Sequence, residues 1–162
     1  GKSRPHFFYG VTKVVSKLFN IVNPTHTFFG EKDAQQSRII NRMIKDLNYN
    51  ILFISCPTVR SESGLALSSR NNYLSLSEKK QASIIYRSLK LVEANIKKGN
   101  TSVDQLKEVF VSMINKNHNI QIDYISIACN ETLEELTIWR KNSLISVAVF
   151  YKNVRLLDNI VV

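Results

Sequence analysis

Two short apolar runs bracket an amphipathic stretch near the start of the chain, and this pattern limits the fold more than any other feature. Thr27-Phe28-Phe29 closes on Gly30, and Ile51-Leu52-Phe53-Ile54 is stopped by Pro57. Between them Ile39, Ile40, Met43, Ile44 and Leu47 recur at helical spacing, which makes one face of a helix apolar. Asp33, with Gln36 three residues on, has the capping pattern that opens such a helix. A preceding helix is predicted from Val11, Val14, Val15, Leu18, Phe19 and Val22, ending at Asn23-Pro24. Residues 1–10, with Pro5, Gly10 and no period, read as loop. Helix, strand, helix, strand, with wholly apolar strands, is the order of a parallel α/β layer whose sheet is covered on both faces. Two strands are few for such a sheet, so further strands are expected beyond those of this chain.

The pattern changes after Arg70. Ser75 with Glu78 and Ser102 with Gln105 mark two helix starts. The first helix carries Ala82, Ile85, Leu89, Val92 and Ile96 inward and ends at Gly99; the second carries Leu106, Val109, Phe110, Met113 and Ile114. Ile120, Ile122 and Tyr124 alternate as a strand, and residues 143–151 and 154–162 are two more around a tight turn at Lys152-Asn153. Two helices followed by three strands make a small α+β unit. The prediction is an α/β chain in two parts, residues 1–70 and 71–162.

The chain has 162 residues and a formal charge of +9. Residues 1–70 hold ten basic and four acidic side chains, net +6, against net +3 for residues 71–162. A basic surface suits an anionic partner, whether nucleic acid, a phosphorylated ligand or a membrane surface. There is no polybasic run, only pairs such as Lys79-Lys80 and Lys97-Lys98, and a solvated face explains these equally well. Cys56 and Cys129 form neither a metal spacing nor a disulfide framework. No apolar run approaches the ~20 residues that span a bilayer, and a reducing cytoplasm is the expected setting.

Two segments suit phosphate chemistry. Gly30-Glu31-Lys32-Asp33 runs from a strand end into a helix N-terminus, where a parallel α/β fold places ligands. Free N–H groups and a partial positive charge there attract phosphate, and Lys32 adds a full charge. The alternative is a capped helix with a solvated tip. Leu67-Ser68-Ser69-Arg70, on the loop after the second apolar strand, offers backbone N–H groups, two hydroxyls and a guanidinium as a polyphosphate cradle. The alternative there is a serine-rich linker. Arg4 could clamp a carboxylate and His6 could act as a general acid or ligand contact; a loop histidine is also compatible with a structural role. His26 and His118 have weaker settings, and no metal cluster, nucleophilic triad or Walker-type loop occurs.

Read in order, these segments resemble the pantothenate synthetase family. That family's motifs R-P-G-H-F-x-G-V, F-G-x-K-D-x-Q-Q, P-T-x-R-x-x-x-G-L-A-x-S-S-R-N-x-Y-L and R-L-x-D-N find counterparts along the whole chain. The counterparts are Arg4-Pro5-His6-Phe7-Phe8-Tyr9-Gly10-Val11, Phe29-Gly30-Glu31-Lys32-Asp33-Ala34-Gln35-Gln36, Pro57-Thr58-Val59-Arg60, Gly64 through Leu74, and Arg155-Leu156-Leu157-Asp158-Asn159. The resemblance implies a partial Rossmann-like parallel nucleotide-binding layer of the nucleotidylyltransferase superfamily in residues 1–70. A small α+β lid domain with helices and a three-stranded antiparallel sheet would follow in residues 71–162. It implies ATP-dependent condensation of pantoate with β-alanine through a pantoyl adenylate, with ATP as substrate and Mg2+ beside its phosphates.

Carried over by position, Gly30, Glu31, Lys32 and Asp33 would line the ATP site, with Lys32 on phosphate and Asp33 near the ribose. Gln36 would bond pantoate, Val59 would meet adenine through its backbone, and Leu67, Ser68, Ser69 and Arg70 would close on the triphosphate. Lys32 and Arg70 are the expected catalytic residues, with no protein metal site. Arg4 and His6 are candidates for the substrate cleft, although His6 stands one place earlier than the family's histidine and the motif's glycine is missing. Either His6 reaches the same cleft or that contact is absent. The family's H-x-G-H segment does not occur in these residues, so the chain is expected to be a C-terminal portion, catalytically incomplete by itself. The family implies a homodimer and neither nucleic-acid nor membrane partners. A basic RNA-binding or interaction module is the competing class.

Overall fold

The computed structural model describes residues 6–162. The chain divides into two compact units, one ending at Pro57 and one spanning Thr58–Val162. This division falls before the 70/71 boundary expected from the pattern change. The reason is burial: Leu65 and Leu74 sit in the core of the second unit, so the loop after the second apolar strand folds with the helices and sheet that come later in the chain.

The first unit contains α1 (Phe7–Val22), β1 (His26–Gly30), a 3-10 turn at Glu31–Asp33, α2 (Ala34–Asp46) and β2 (Leu52–Cys56). The expected loop over residues 1–10 gives way to helix from Phe7, where the Gly10 N–H donates to the His6 carbonyl at 3.0 Å. Local signals conceal this start. A helical glycine costs about 1 kcal/mol against alanine, and no side chain caps the end, where His6 adopts a left-handed φ of 67°.

β1 and β2 pair in parallel, with Thr27 beside Phe53 and Phe29 beside Ser55. The Phe29 and Phe53 rings stack 5.6 Å apart on the face that meets Phe19, Ile40 and Ile44, with Val11, Val15 and Met43 around them. The opposite face is not covered by the described residues: Phe28 is 64% exposed and Leu52 58%. Burial of both strand faces is therefore not found. On α1, Val14, Leu18 and Val22 point outward, because only the Val11–Val15–Phe19 stripe meets α2 and the sheet. Leu47 is likewise exposed, just past the end of α2.

The second unit holds α3 (Leu76–Ala82), α4 (Ile84–Lys97) and α5 (Val103–Ile114). They precede an antiparallel sheet of β3 (Ile120–Cys129), β4 (Ser143–Tyr151) and β5 (Val154–Val161), in the order β3-β4-β5. Ile127, Ile145, Val147, Val149 and Leu156 share one sheet face with the paired register. They form one core with Leu89, Val92, Leu106, Phe110 and Ile114 from the helices. The single helix expected before Gly99 is divided at Ser83, whose hydroxyl donates to the Lys80 carbonyl at 2.6 Å.

Both serine caps form. Ser75 accepts from the Glu78 N–H at 3.3 Å while Glu78 accepts from the Ser75 N–H at 2.8 Å, and Ser102 accepts from the Gln105 N–H at 3.4 Å. β3 is longer than its alternating core, with an irregularity between Ile122 and Tyr124. Beyond it the chain doubles back beside β3, with the Leu136 N–H donating to the Ile127 carbonyl at 2.9 Å. Tyr151 pairs with Val154 across the expected two-residue turn; the left-handed φ, 50°, falls on Lys152. Both cysteines are free. No helix among the described residues is long and apolar enough to cross a membrane.

Glu78 closes the α3 cap and also accepts from Lys152 on the β4–β5 turn at 2.5 Å. The Lys152 bond, then the Ser75 backbone N–H, hold its carboxyl down at about 2. A carboxyl depressed in the folded state stabilises above its unfolded value and loses that contribution as pH falls through the folded value. Glu78→Gln should therefore lower the melting temperature at pH 6. The gap from wild type should narrow as pH falls from about 4.5 towards 2 in a thermal melt series; a constant gap refutes the assignment.

Candidate functional site

Each unit carries one of the two phosphate-type segments. In the first, β1 ends at Gly30, and the 3-10 turn presents Glu31, Lys32 and Asp33 ahead of α2. Gly30 is extended, with φ −74°, and a Cβ built on it meets nothing within 4 Å. The fold itself does not require glycine there. Glu31 accepts from Arg38 on α2 and from Ser55 on β2, so its carboxylate ties the turn to its neighbours. Lys32 is half-buried within the turn.

Asp33 departs from the sequence reading. It precedes α2 but makes no side-chain cap bond. The 3-10 turn leaves it at φ −101° and ψ 58°, away from the extended geometry from which a cap residue reaches back to the helix N–H groups. Its carboxylate is exposed. Gln36 lies half-buried in the first turn of α2. No side chain caps the start of α2, and the partial positive charge of a helix N-terminus adjoins Lys32.

In the second unit Val59 and Leu67 are brought together: the Leu67 N–H donates to the Val59 carbonyl at 2.9 Å. The adenine contact expected of the Val59 backbone would have to share that carbonyl or use the N–H. Between them the chain is a small hairpin in which Arg60 bridges Ala66 and the Gly64 N–H donates to the Ser61 carbonyl at 2.9 Å. Beyond Leu67 a 3-10 turn, Ser69–Tyr73, presents Ser69 and Arg70 to solvent. Ser68 donates to the Asn71 side chain at 3.0 Å, and buried Asn71 donates to the Ala66 carbonyl at 3.1 Å.

Sequence reasoning did not pick out the residues that hold this loop. Arg60 meets Asp158 with both prongs, Nη1 to Oδ2 at 2.7 Å and Nη2 to Oδ1 at 2.8 Å. It also donates to the carbonyls of Gly64 at 3.1 Å and Asn159 at 3.3 Å. Its guanidinium lies 3.7 Å from the centre of the Tyr86 ring. Arg60 and Asp158 both stand inside the matched motifs, but nothing in local spacing pairs residues so far apart.

Of the remaining candidates, His6 is exposed at the start of α1, and Arg4 lies outside the described residues. His26 shares a 2.9 Å bond with the Thr25 hydroxyl, and His118 is exposed. Among the described residues no group of three or more His, Cys, Asp or Glu side chains could hold a metal ion.

Known proteins resemble the chain throughout. A family model described as pantoate-β-alanine ligase matches residues 1–161. The pantothenate synthetase of Caldicellulosiruptor bescii is 49% identical over 162 residues, all of this chain and 57% of that protein. The crystal structure of pantothenate synthetase from Thermus thermophilus superposes with a TM-score of 0.92 at 38% identity, covering 99% of this chain and 58% of the other. That of pantoate-β-alanine ligase from Francisella tularensis, complexed with β-γ ATP and β-alanine, gives a TM-score of 0.69 at 32% identity over 99% and 52%. The chain thus spans somewhat under three fifths of the curated relative's length.

The two loop glycines should behave oppositely. Gly30→Ala should change unfolding free energy by no more than about 0.5 kcal/mol, as at an unconstrained surface position. Gly64 has φ 93°, and its Cβ would stand 2.8 Å from Tyr86 Cδ1. Gly64→Ala should cost about 1–3 kcal/mol from backbone strain alone. Urea denaturation of both variants checks this; equal costs would sink the distinction.

Proposed function

The chain belongs to the pantoate-β-alanine ligase family, and we propose that it carries ATP- and pantoate-handling segments of a ligase that joins (R)-pantoate to β-alanine. In the first step the pantoate carboxylate attacks the α-phosphorus of ATP, the bond to the bridging oxygen breaks and pyrophosphate leaves. In the second the β-alanine amine attacks the acyl carbon of pantoyl adenylate. The carbon–oxygen bond to the phosphate breaks, AMP leaves, and the amine's surplus proton passes to solvent. The product is pantothenate. Catalysis of this kind depends mainly on positioning and on neutralising phosphate charge.

In this reading Lys32 binds a phosphate and Gly30 lets the nucleotide approach the backbone. Asp33 accepts from a ribose hydroxyl, Gln36 bonds pantoate, and Glu31 shapes the turn. Val59 borders adenine, while Leu67, Ser68, Ser69 and Arg70 take the triphosphate. Lys32 and Arg70 carry the charge that the transition state needs. Mg2+ would be supplied with ATP and would help neutralise phosphate charge, as suits a cation that keeps few protein ligands. His6 and Arg4 are candidates for the substrate cleft. We place the whole protein as a cytoplasmic homodimer.

One observation carries the reading: Ser69 and Arg70 are exposed on a segment whose two ends are firmly tied. Exposed polar groups on a fixed frame are what a polyphosphate site needs. The family's H-x-G-H segment does not occur in these 162 residues. The loss of even one transition-state donor costs about 10²–10³-fold in rate.

Titration calorimetry with a non-hydrolysable ATP analogue should show binding to the chain, and Lys32→Ala or Arg70→Ala should weaken it roughly tenfold. An AMP-release assay with ATP, pantoate and β-alanine should stay at background. Absence of nucleotide binding overturns the site assignment, whereas turnover at the pace of an ordinary enzyme, about 1–10³ per second, overturns the claim of incompleteness.

A further inference from the structure

Arg60 has a setting unlike that of Lys32 or Arg70. Its charge is already matched by Asp158, with side-chain exposures of 17% and 4%, and its donors face protein oxygens. It is therefore unsuited to gripping an anion. What it grips is the frame of a loop: the hairpin it belongs to through Gly64, strand β5 through Asp158 and Asn159, and helix α4 through Tyr86.

That hairpin delivers Leu67. The Leu67 N–H is bound to Val59, the residue before Arg60, and Ala66 bridges Arg60 itself. The other end of the segment is fixed by Asn71, which is buried and bound to Ala66 and Ser68. The exposed groups of Leu67, Ser69 and Arg70 hang between these two anchors. A loop left to fluctuate must be ordered when ligand binds, and that ordering subtracts from affinity.

We infer that Arg60, clamped by Asp158 and seated on Tyr86, is a positioning residue that holds residues 67–70 ready for a triphosphate without touching it. The inference rests on the nucleotide reading above and extends it to residues outside the ligand's reach. It separates two arginines of the same loop: Arg70 acts on the ligand and Arg60 on the loop.

The test uses the whole chain, inorganic tripolyphosphate as probe, and the variants Arg60→Lys and Asp158→Asn. Lysine keeps the charge but cannot make the two-pronged contact, and asparagine keeps the shape. Leu106→Ala, a buried position on α5, serves as a destabilised control. All are compared at a temperature where circular dichroism shows them folded. Affinity should fall roughly tenfold in the two loop variants and stay within about twofold in the control. Amide exchange over residues 67–73 should quicken in the loop variants and not in the control. Unchanged exchange there in both loop variants overturns the inference, and so does faster exchange with undiminished affinity. Should the wild-type chain not bind tripolyphosphate while exchange responds as expected, the loop-holding role stands and the nucleotide reading falls.

Discussion

A nearly dry ion pair joins residues 98 positions apart and ties the loop after β2 to the last strand of the second unit. Removing two charges from water costs several kcal/mol per ion, and their attraction offsets this only when geometry is good and the remaining donors are satisfied. Arg60 and Asp158 meet that condition. The guanidinium has a two-pronged carboxylate, two carbonyls and an aromatic face. The carboxylate also accepts from the Asn159 N–H at 2.7 Å. Such a pair adds little net stability over an apolar substitute, but it tolerates few alternative arrangements. Its product here is register, with the loop after β2 held against β5 in one way. It acts together with the burial of Leu65 and Leu74, which places the loop after β2 in the second unit.

Helix and strand identities were largely legible because they rest on local periodicity. α2, α4 and α5 follow their apolar stripes, and the serine caps at Ser75 and Ser102 form as the spacing requires. The errors have a common origin. Hydrophobic spacing tells which residues can be buried, and burial itself depends on what lies opposite. Val14, Leu18 and Val22 have helical spacing but no facing layer among the described residues, and the same holds for Phe28 and Leu52. At Phe7 the helix starts without a cap and through a glycine, so the backbone hydrogen bonds form where composition argued for a loop.

The candidate site was legible to a different depth. Motif order located residues 30–36 and 57–74, because those strings are local. It could not say what each side chain is spent on. Glu31, grouped with Lys32 and Asp33 as a nucleotide contact, turns inward to Arg38 and Ser55. Asp33, read as a helix cap, is released from that duty by the 3-10 turn before it. The second of these changes favours the ribose role, since a carboxylate committed to helix N–H groups would have less to offer a hydroxyl.

Charge shows the same difference between location and commitment. The basic excess of residues 1–70 counts Arg38, Arg42 and Arg60 equally with Lys32 and Arg70. Yet Arg38 pairs with Glu31, Arg42 with Asp46, and Arg60 with Asp158 from the far end of the chain. An anion gains little from a guanidinium already neutralised and held by carboxylates, because binding would first have to break those bonds. In the proposed reading, the charge that this loop offers a phosphate is therefore that of exposed Arg70. Paired Arg60 contributes by limiting where Arg70 can be, so the loop's affinity for an anion depends on a charge that is itself hidden from it.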